Sequence, residues 1–351
     1  MIMIKKLIIN GLRGISQCEI GGIGGINLFL GHNNCGKSTI LEALFLLTGG
    51  TFPINFLRIN SLRNCSLKDA EDLRLPFYGA LKDSPIVISG DFDNGNRRLT
   101  ISYAEDVIEK VSVNQIPDDI NTPLPKDTQV NFDLLLENGN HVETQLEIKH
   151  KQPQKLNIKG DSTHEGHIQA WFISPSEPYN NVENYFTEIV VNKQEGFVTT
   201  ILKHIEPNIQ DVVLAGNQIL LDVGFDKRIP IQLMGDGLKK MLSVVVNMAM
   251  ARNGILLIDE IDNGLHYSSM PILWKAIVES AKMYNVQVFA TTHSVESLRA
   301  LNEILESDAY KDIQSDFRSY TIRREENGVH KVIKAEYSQF NHIINQDLEL
   351  R

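Results

Sequence analysis

Apolar and polar positions alternate along this chain in three distinct textures. Residues 6–10 and 16–20 read as two short strands, 26–30 as a buried strand and 40–47 as an apolar helix. From about residue 51 to 160 the apolar positions alternate singly with polar ones, as in half-buried strands. Segments 85–89, 99–103, 131–136 and 142–148 carry that pattern, and Asn138-Gly139 between the last two is a hairpin signal. This block is expected to form an antiparallel sheet. Val182, Tyr185, Phe186 and Ile189, then Phe197, Ile201 and Ile205, recur at helical spacing over 181–210. A second hairpin, 212–223, turns at Gly216-Asn217. Between 230 and 293 helices alternate with continuous apolar runs, the texture of an α/β core around a parallel sheet. The residues after 293 read as a helix, a hairpin over 319–334 turning at Asn327-Gly328, and a short helix with Ser338 as cap. No internal repeat is found, and no heptad pattern runs between 50 and 180.

Composition narrows the class. The 351 residues carry a formal net charge of −10, which suits one large or two medium domains and does not favour direct binding of DNA. Cys18, Cys35 and Cys65 form no CxxC pair, which fits a reduced cytoplasm and argues against structural zinc. The start, MIMIKKLIINGLRG, is too short and charged for a signal peptide, and no apolar run reaches membrane-spanning length. A cytoplasmic location without a membrane partner is expected.

Candidate chemistry begins in the loop GHNNCGKST, residues 31–39, between the strand at 26–30 and the helix at 40–47. Gly31, Gly36, Lys37 and Ser38 satisfy the spacing of a phosphate-binding loop in its required strand–loop–helix setting. Backbone N–H groups from Asn33, Asn34, Cys35 and Gly36 to Thr39 wrap a phosphate while the helix N-terminus faces the same charge. Lys37 supplies a cation for the β/γ oxygens and Ser38 a hydroxyl for Mg²⁺. Asn34 is a residue type that tolerates left-handed backbone. Cys35 reads as a small filler in the loop.

The partner of such a loop is GILLIDE, residues 254–260, a buried strand ending in two carboxylates. Asp259 is expected to hold the Mg²⁺ shell and Glu260 to accept a proton from attacking water or orient it. A second apolar run, 286–290, ends in TTHS and sets His293 at the same sheet edge. Between them, IQLMGDGLKKML places Gly235 and Gly237 before a long helix, a second anion site at a helix N-terminus. Two such sites on one phosphate are best reconciled by a head-to-tail dimer in which each chain closes the other's nucleotide.

The order of these four motifs resembles the ABC-type ATPase heads of the SMC, RecF and overcoming-lysogenization-defect (OLD) branch, and within it the stand-alone bacterial ATPases of antiphage defence. The resemblance implies an α/β head with a parallel-sheet P-loop core over about 1–50 and 229–351, an inserted antiparallel β subdomain over about 51–180, and a helical subdomain over about 181–228. It implies that Lys37, Ser38 and Asp259 bind ATP and Mg²⁺, that Glu260 is the catalytic carboxylate, and that His293 is the switch histidine. Gly235 and Gly237 match signature glycines that act in trans, and Arg13 in GLRG resembles the edge meeting the adenine and α-phosphate. Met234 replaces a signature Ser and Asp236 a Gly, departures that imply slow hydrolysis. No residue is placed as the Mg²⁺-sensing glutamine; Gln169 is a guess for it, with a plain surface role the preferred reading.

What the resemblance implies is an ATPase forming a homodimer or higher oligomer and switching a separate effector, a nuclease by class, in antiphage defence. Related chains often carry their nuclease after the ATPase, whereas the residues after 293 are expected to be too few for another domain. A RecF-like repair ATPase that binds DNA, and a scaffold that binds ATP without turnover, are the alternatives. Asp118 with Glu147 and Lys149 imitates a nuclease metal motif, but Glu143, Glu147 and Lys149 alternate with Val142, Leu146 and Ile148 as a solvated strand face does. NKQE at 192–195 imitates a guanine-reading motif without its Asp or a preceding buried strand, so adenine is preferred.

Overall fold

The computed structural model describes residues 2–65, 70–81, 83–105, 128–148, 156–160, 166–176 and 182–346. Its strands are β1 (Ile4–Leu12), β2 (Ile15–Gly21), β3 (Ile26–Leu30), β4 (Ile86–Phe92), β5 (Gly95–Glu105), β6 (Thr128–Leu136), β7 (His141–Ile148) and β8 (Leu156–Gly160). There follow β9 (Ala170–Ile173), β10 (Asp211–Ala215), β11 (Gln218–Asp222), β12 (Ile229–Pro230), β13 (Ile255–Ile258), β14 (Gln287–Thr291), β15 (Phe317–Arg324) and β16 (Val329–Glu336). The α-helices are α1 (Lys37–Gly49), α2 (Pro53–Ser61), α3 (Val182–Val191), α4 (Glu195–Lys203), α5 (Asp236–Met250), α6 (Met270–Tyr284), α7 (Val295–Glu306), α8 (Lys311–Gln314) and α9 (Tyr337–Asn345).

Thirteen strands form one mixed sheet in the order β8-β7-β6-β5-β4-β1-β2-β16-β15-β3-β14-β13-β9. Strands β15, β3, β14, β13 and β9 run parallel to one another. In β3, β13 and β14 every residue is buried, as expected of strands covered on both faces. The alternation of the pleat sends Leu28, Leu30, Leu256 and Ile258 to the core under α3, α5, α6 and α7, while Phe29, Leu257 and Phe289 face the core around α1 and α2. Two buried amides serve the sheet's far end: Gln287 bonds both main-chain groups of Ile4, and Asn27 bonds Gly24 and Val288.

The antiparallel strands β4 to β8 extend this sheet through the pairing of β1 with β4, so the block expected as an insertion shares the ATPase sheet. Strand β9 lies in the same stretch of sequence yet pairs parallel with β13, Ile173 opposite Ile258. It is too short and too apolar throughout to be assigned by alternation. Helix α2 likewise stands where strands were expected, opened by Pro53 in its first turn. The last helix, α9, is capped by Glu336, paired in a capping box with Gln339, rather than by Ser338. Glu147 corrects another expectation: it is buried, accepting from Asn157 at 2.9 Å and Lys159 at 3.2 Å, so it is no solvated face. Its proposed companions in the nuclease motif, Asp118 and Lys149, lie outside the described residues. Among the described residues no helix is long and apolar enough to cross a membrane.

Candidate functional site

The carboxyl ends of β3, β13 and β14 lie side by side, and the loops leaving them converge, the usual place for a ligand on a parallel sheet. They enclose an open cavity of about 220 Å³ lined by Asn33 through Thr39, Arg63, Asp259, Glu260, Thr291 and His293. One cavity thus collects the loop residues and the carboxylate, histidine and threonine from more than two hundred residues downstream.

The loop's shape depends on backbone only certain residues adopt. Asn34 has φ of 62°, and Gly36, the residue before α1, has φ of 93°. A side chain at Gly36 would also meet the buried His330, whose Nε2 lies 3.0 Å from where its Cβ would stand. His330 donates through Nδ1 to the Gly328 carbonyl at 2.9 Å, and burial holds its pKa below the ordinary value. No side chain caps the N-terminus of α1, so its first N–H groups face the cavity as an anion site. Lys37 is buried and donates to the carbonyls of Gly31 at 2.7 Å and His32 at 2.9 Å, which stiffens the loop from inside.

Asp259 is held by two hydroxyls on one oxygen: Ser38 donates at 3.0 Å and Thr291 at 2.7 Å. The donor set of a serine hydroxyl and a carboxylate, both oxygen, suits Mg²⁺ when a polyphosphate and water complete the shell. Among the described residues no cluster of three or more His, Cys, Asp or Glu side chains could hold a metal by itself. Glu260 sits at φ of 48°, left-handed backbone that a non-glycine residue adopts only under constraint. The constraint is visible. Its N–H donates to Thr291 Oγ1 at 2.8 Å, and its carbonyl accepts from Lys240 at 3.2 Å and from the Asn263 N–H at 3.0 Å. Beyond it, Asp262 accepts from Thr292 at 2.5 Å and approaches His293 Nε2 at 3.8 Å.

Arg63 comes from the turn after α2 and had no signature in the sequence. It donates to Thr39 at 3.2 Å and to Glu42 on α1 at 2.6 Å. Burial works against its charge, yet Glu42 and Asp259 outweigh that and raise its pKa. Arg13 binds the other oxygen of Glu42 at 2.7 Å, the Ile59 carbonyl at 2.9 Å and Asn60 at 3.1 Å, and is not among the cavity's lining residues.

Gly235 and Gly237 also stand apart from this cavity, at the start of α5. Gly235 is the N-cap, and Asp236 pairs with Lys239 at 2.6 Å, so the acid is partly neutralised within its own helix and does not cap it. A side chain at Gly235 would meet nothing within 4 Å, and one at Gly237 only Leu265 and Ser269 at contact distances. Among the described residues, no contact requires these glycines. Leu233 and Tyr267 beside this helix start are 74% and 66% exposed, a wet apolar rim around it. Gln169 is at the opposite end of β13 from Asp259, where its side chain bonds the Met250 carbonyl and its own carbonyl accepts from Ile255, so it is no Mg²⁺ sensor in this arrangement.

The chain is similar to several known proteins. The model of a family described as "AAA domain, putative AbiEii toxin, Type IV TA system" matches residues 26–299. A protein of Helicobacter pylori named ATP/GTP phosphatase is 27% identical over 352 residues, covering 92% of this chain and 93% of that one. The DNA replication and repair protein RecF of Aliivibrio fischeri is 43% identical over 47 residues, 13% of each chain. A solved structure, the SmcHead bound to the C-winged helix domain of ScpA, shares the fold with a TM-score of 0.52 at 13% identity, over 95% of this chain and 97% of that one.

Proposed function

We propose that this chain, which belongs to the family of the AAA domain, putative AbiEii toxin, Type IV TA system, binds ATP with Mg²⁺ in the cavity around residues 31–39 and hydrolyses it slowly. The chain is an ABC-type ATPase head of the SMC/RecF-like branch. One observation carries the reading: Ser38 and Asp259, 221 residues apart, meet at 3.0 Å beneath an uncapped helix N-terminus, with Glu260 on the rim.

In this reading the α1 N–H groups and Lys37 take the phosphates, and Lys37 exchanges its loop carbonyls for the β/γ oxygens. Ser38 and Asp259 would hold Mg²⁺, which would supply positive charge against that developing on the transferred phosphoryl group. Glu260 orients the attacking water and takes its proton. Arg63 is placed to share phosphate charge from the flank. The name of the Helicobacter pylori relative, ATP/GTP phosphatase, supports hydrolysis.

Gly237, uncrowded in the first turn of α5, supports closure in trans, because glycine within a helix is disfavoured against alanine by up to about 1 kcal/mol and, among the described residues, no contact requires its lack of a side chain. A second copy, docking head to tail, would set this helix start on the facing γ-phosphate. The domain division is part of the same proposal: a core of 1–50 and 229–351, joined in its sheet by β9, that turns over ATP, with the rest of 51–180 and 181–228 presenting surfaces to a partner. The family description, with its "putative AbiEii toxin, Type IV TA system", and the SmcHead–ScpA pairing support a head that acts with a partner protein; the partner we propose is a separate effector in antiphage defence, a nuclease by class. A second reading, a repair ATPase that binds DNA, draws on the short RecF match and is opposed by the net charge of −10.

The test is a mixing experiment. Lys37→Ala is expected to lose binding of a labelled ATP analogue, and Gly237→Arg to bind it normally but lose turnover. Mixed dimers of the two should regain one working composite site. Mixed dimers that form and stay inactive would overturn closure in trans, and unchanged analogue binding by Lys37→Ala would overturn the site.

A further inference from the structure

Lys240 lies one turn into α5, three residues beyond Gly237, and is 5% exposed. Its ammonium donates to the carbonyls of Glu260 at 3.2 Å and Asn263 at 2.5 Å, the two ends of the turn that follows β13. That turn is closed by the Asn263 N–H on the same Glu260 carbonyl. With Thr291 holding the Glu260 N–H, the left-handed residue is gripped on both sides, from β14 at its amide and from α5 at its carbonyl. Burial pulls the Lys240 pKa down to about 8 against the attraction of Asp262 and Glu260. A methionine would fill the same space without that cost. Packing alone does not account for a lysine here.

We propose that Lys240 is a positioning residue that couples the glycine start of α5 to the Glu260 backbone. The inference rests on the composite-site reading above. In a head-to-tail pair the start of α5 addresses one nucleotide and Glu260 of the same chain addresses the other. A phosphate seated on that helix start shifts α5, Lys240 carries the shift to the 260–263 turn, and the carboxylate swings to the geometry that activates water. Lys240 thereby joins the two nucleotide sites of the dimer through a single side chain and makes their turnover cooperative.

The experiment compares the full chain with Lys240→Met, which keeps volume and loses the donors, and Lys240→Arg, which keeps charge and donors. Hydrogen exchange at the Asn263 amide is measured with Mg²⁺ and a non-hydrolysable ATP analogue, and steady-state turnover is measured across ATP concentration. For Lys240→Met, exchange at Asn263 should rise about tenfold with α1 unchanged, as expected for a turn that has lost a clamp. Its KM should stay within about twofold, kcat should fall about tenfold or more, and the dependence on ATP should lose its sigmoid form, with Lys240→Arg recovering at least half of kcat. Wild-type exchange and kcat in Lys240→Met would overturn the proposal, as would KM and kcat failing together with general loss of protection in α5. Absence of turnover in the wild type would sink the proposed function instead, and the exchange comparison would still decide the role of Lys240.

Discussion

Thr291→Val isolates one small part of the site. Thr291 is fully buried at the end of β14, and its hydroxyl both accepts from the Glu260 N–H at 2.8 Å and donates to Asp259 at 2.7 Å. Valine preserves the branched shape, so the cavity term is near zero and the loss is polar. A hydrogen bond to a charged group contributes about 1.5–3 kcal/mol, and a buried N–H left without a partner costs about 1–3 kcal/mol. Both losses fall on one turn and are not additive, which sets the destabilisation at about 3 kcal/mol. At roughly 2 °C per kcal/mol, the lower end of the range for large domains, the thermal midpoint should fall by about 6 °C. The functional effect should be larger, because Asp259 loses the group that orients it. Changes of that kind weaken metal affinity or activity by about 10–100-fold. The assay is titration of Mg²⁺ against a fluorescent ATP analogue, alongside a thermal melt. A Mg²⁺ half-saturation within twofold of wild type, with a midpoint lowered by less than about 1 °C, would refute the assignment of Thr291 as the brace of Asp259 and Glu260.

Other outcomes follow from the same contacts. Arg63→Ala should weaken ATP-analogue binding by about tenfold, the scale of one charge-assisted contact, and reduced salt sensitivity of binding should accompany it. A lysine whose native pKa of about 8 lies below its unfolded value of 10.5 opposes folding while it is charged, and that penalty fades as pH climbs from about 8 to above 10. Denaturant unfolding should therefore show wild type gaining stability over this window relative to Lys240→Met, by on the order of 2–3 kcal/mol, whereas parallel profiles would contradict it. At pH 8 a thiol reagent should label exposed Cys65 quickly and spare Cys18, whose thiol burial pushes up to about 12, as mass spectrometry would read directly.

What the sequence made legible was local. The loop at 31–39, the buried strand with its two acids and the hairpin turns at Asn138-Gly139 and Gly216-Asn217 each depend on residues within a dozen positions, so spacing and periodicity suffice. Residues recruited across the fold left no such trace. Arg63 reaches the loop because Glu42, one turn into α1, anchors it, and Lys240 meets Glu260 only because α5 packs against the turn after β13. Strand β9 was hidden by its length, four residues that find their place only once β13 is beside them. Glu147 misled because alternation assigns a face without saying what stands beside it, and here Asn157 and Lys159 reach it from the adjacent strand β8. Arg13 was expected at the edge meeting the adenine and α-phosphate, whereas its left-handed backbone and its pairing with Glu42, 29 residues away, left no mark in the sequence.

The central claim is that residues 31–39, Asp259 and Glu260 form one ATP-hydrolysing site, and phosphate release from Mg²⁺·ATP by the purified chain and by Glu260→Gln, measured side by side, tests it most directly. Slow release by the wild type, reduced a hundredfold or more in Glu260→Gln while ATP-analogue binding stays intact, is the expected result, on the scale of losing a group that activates water. Equal release by both proteins, or none by the wild type under saturating Mg²⁺·ATP, would contradict it.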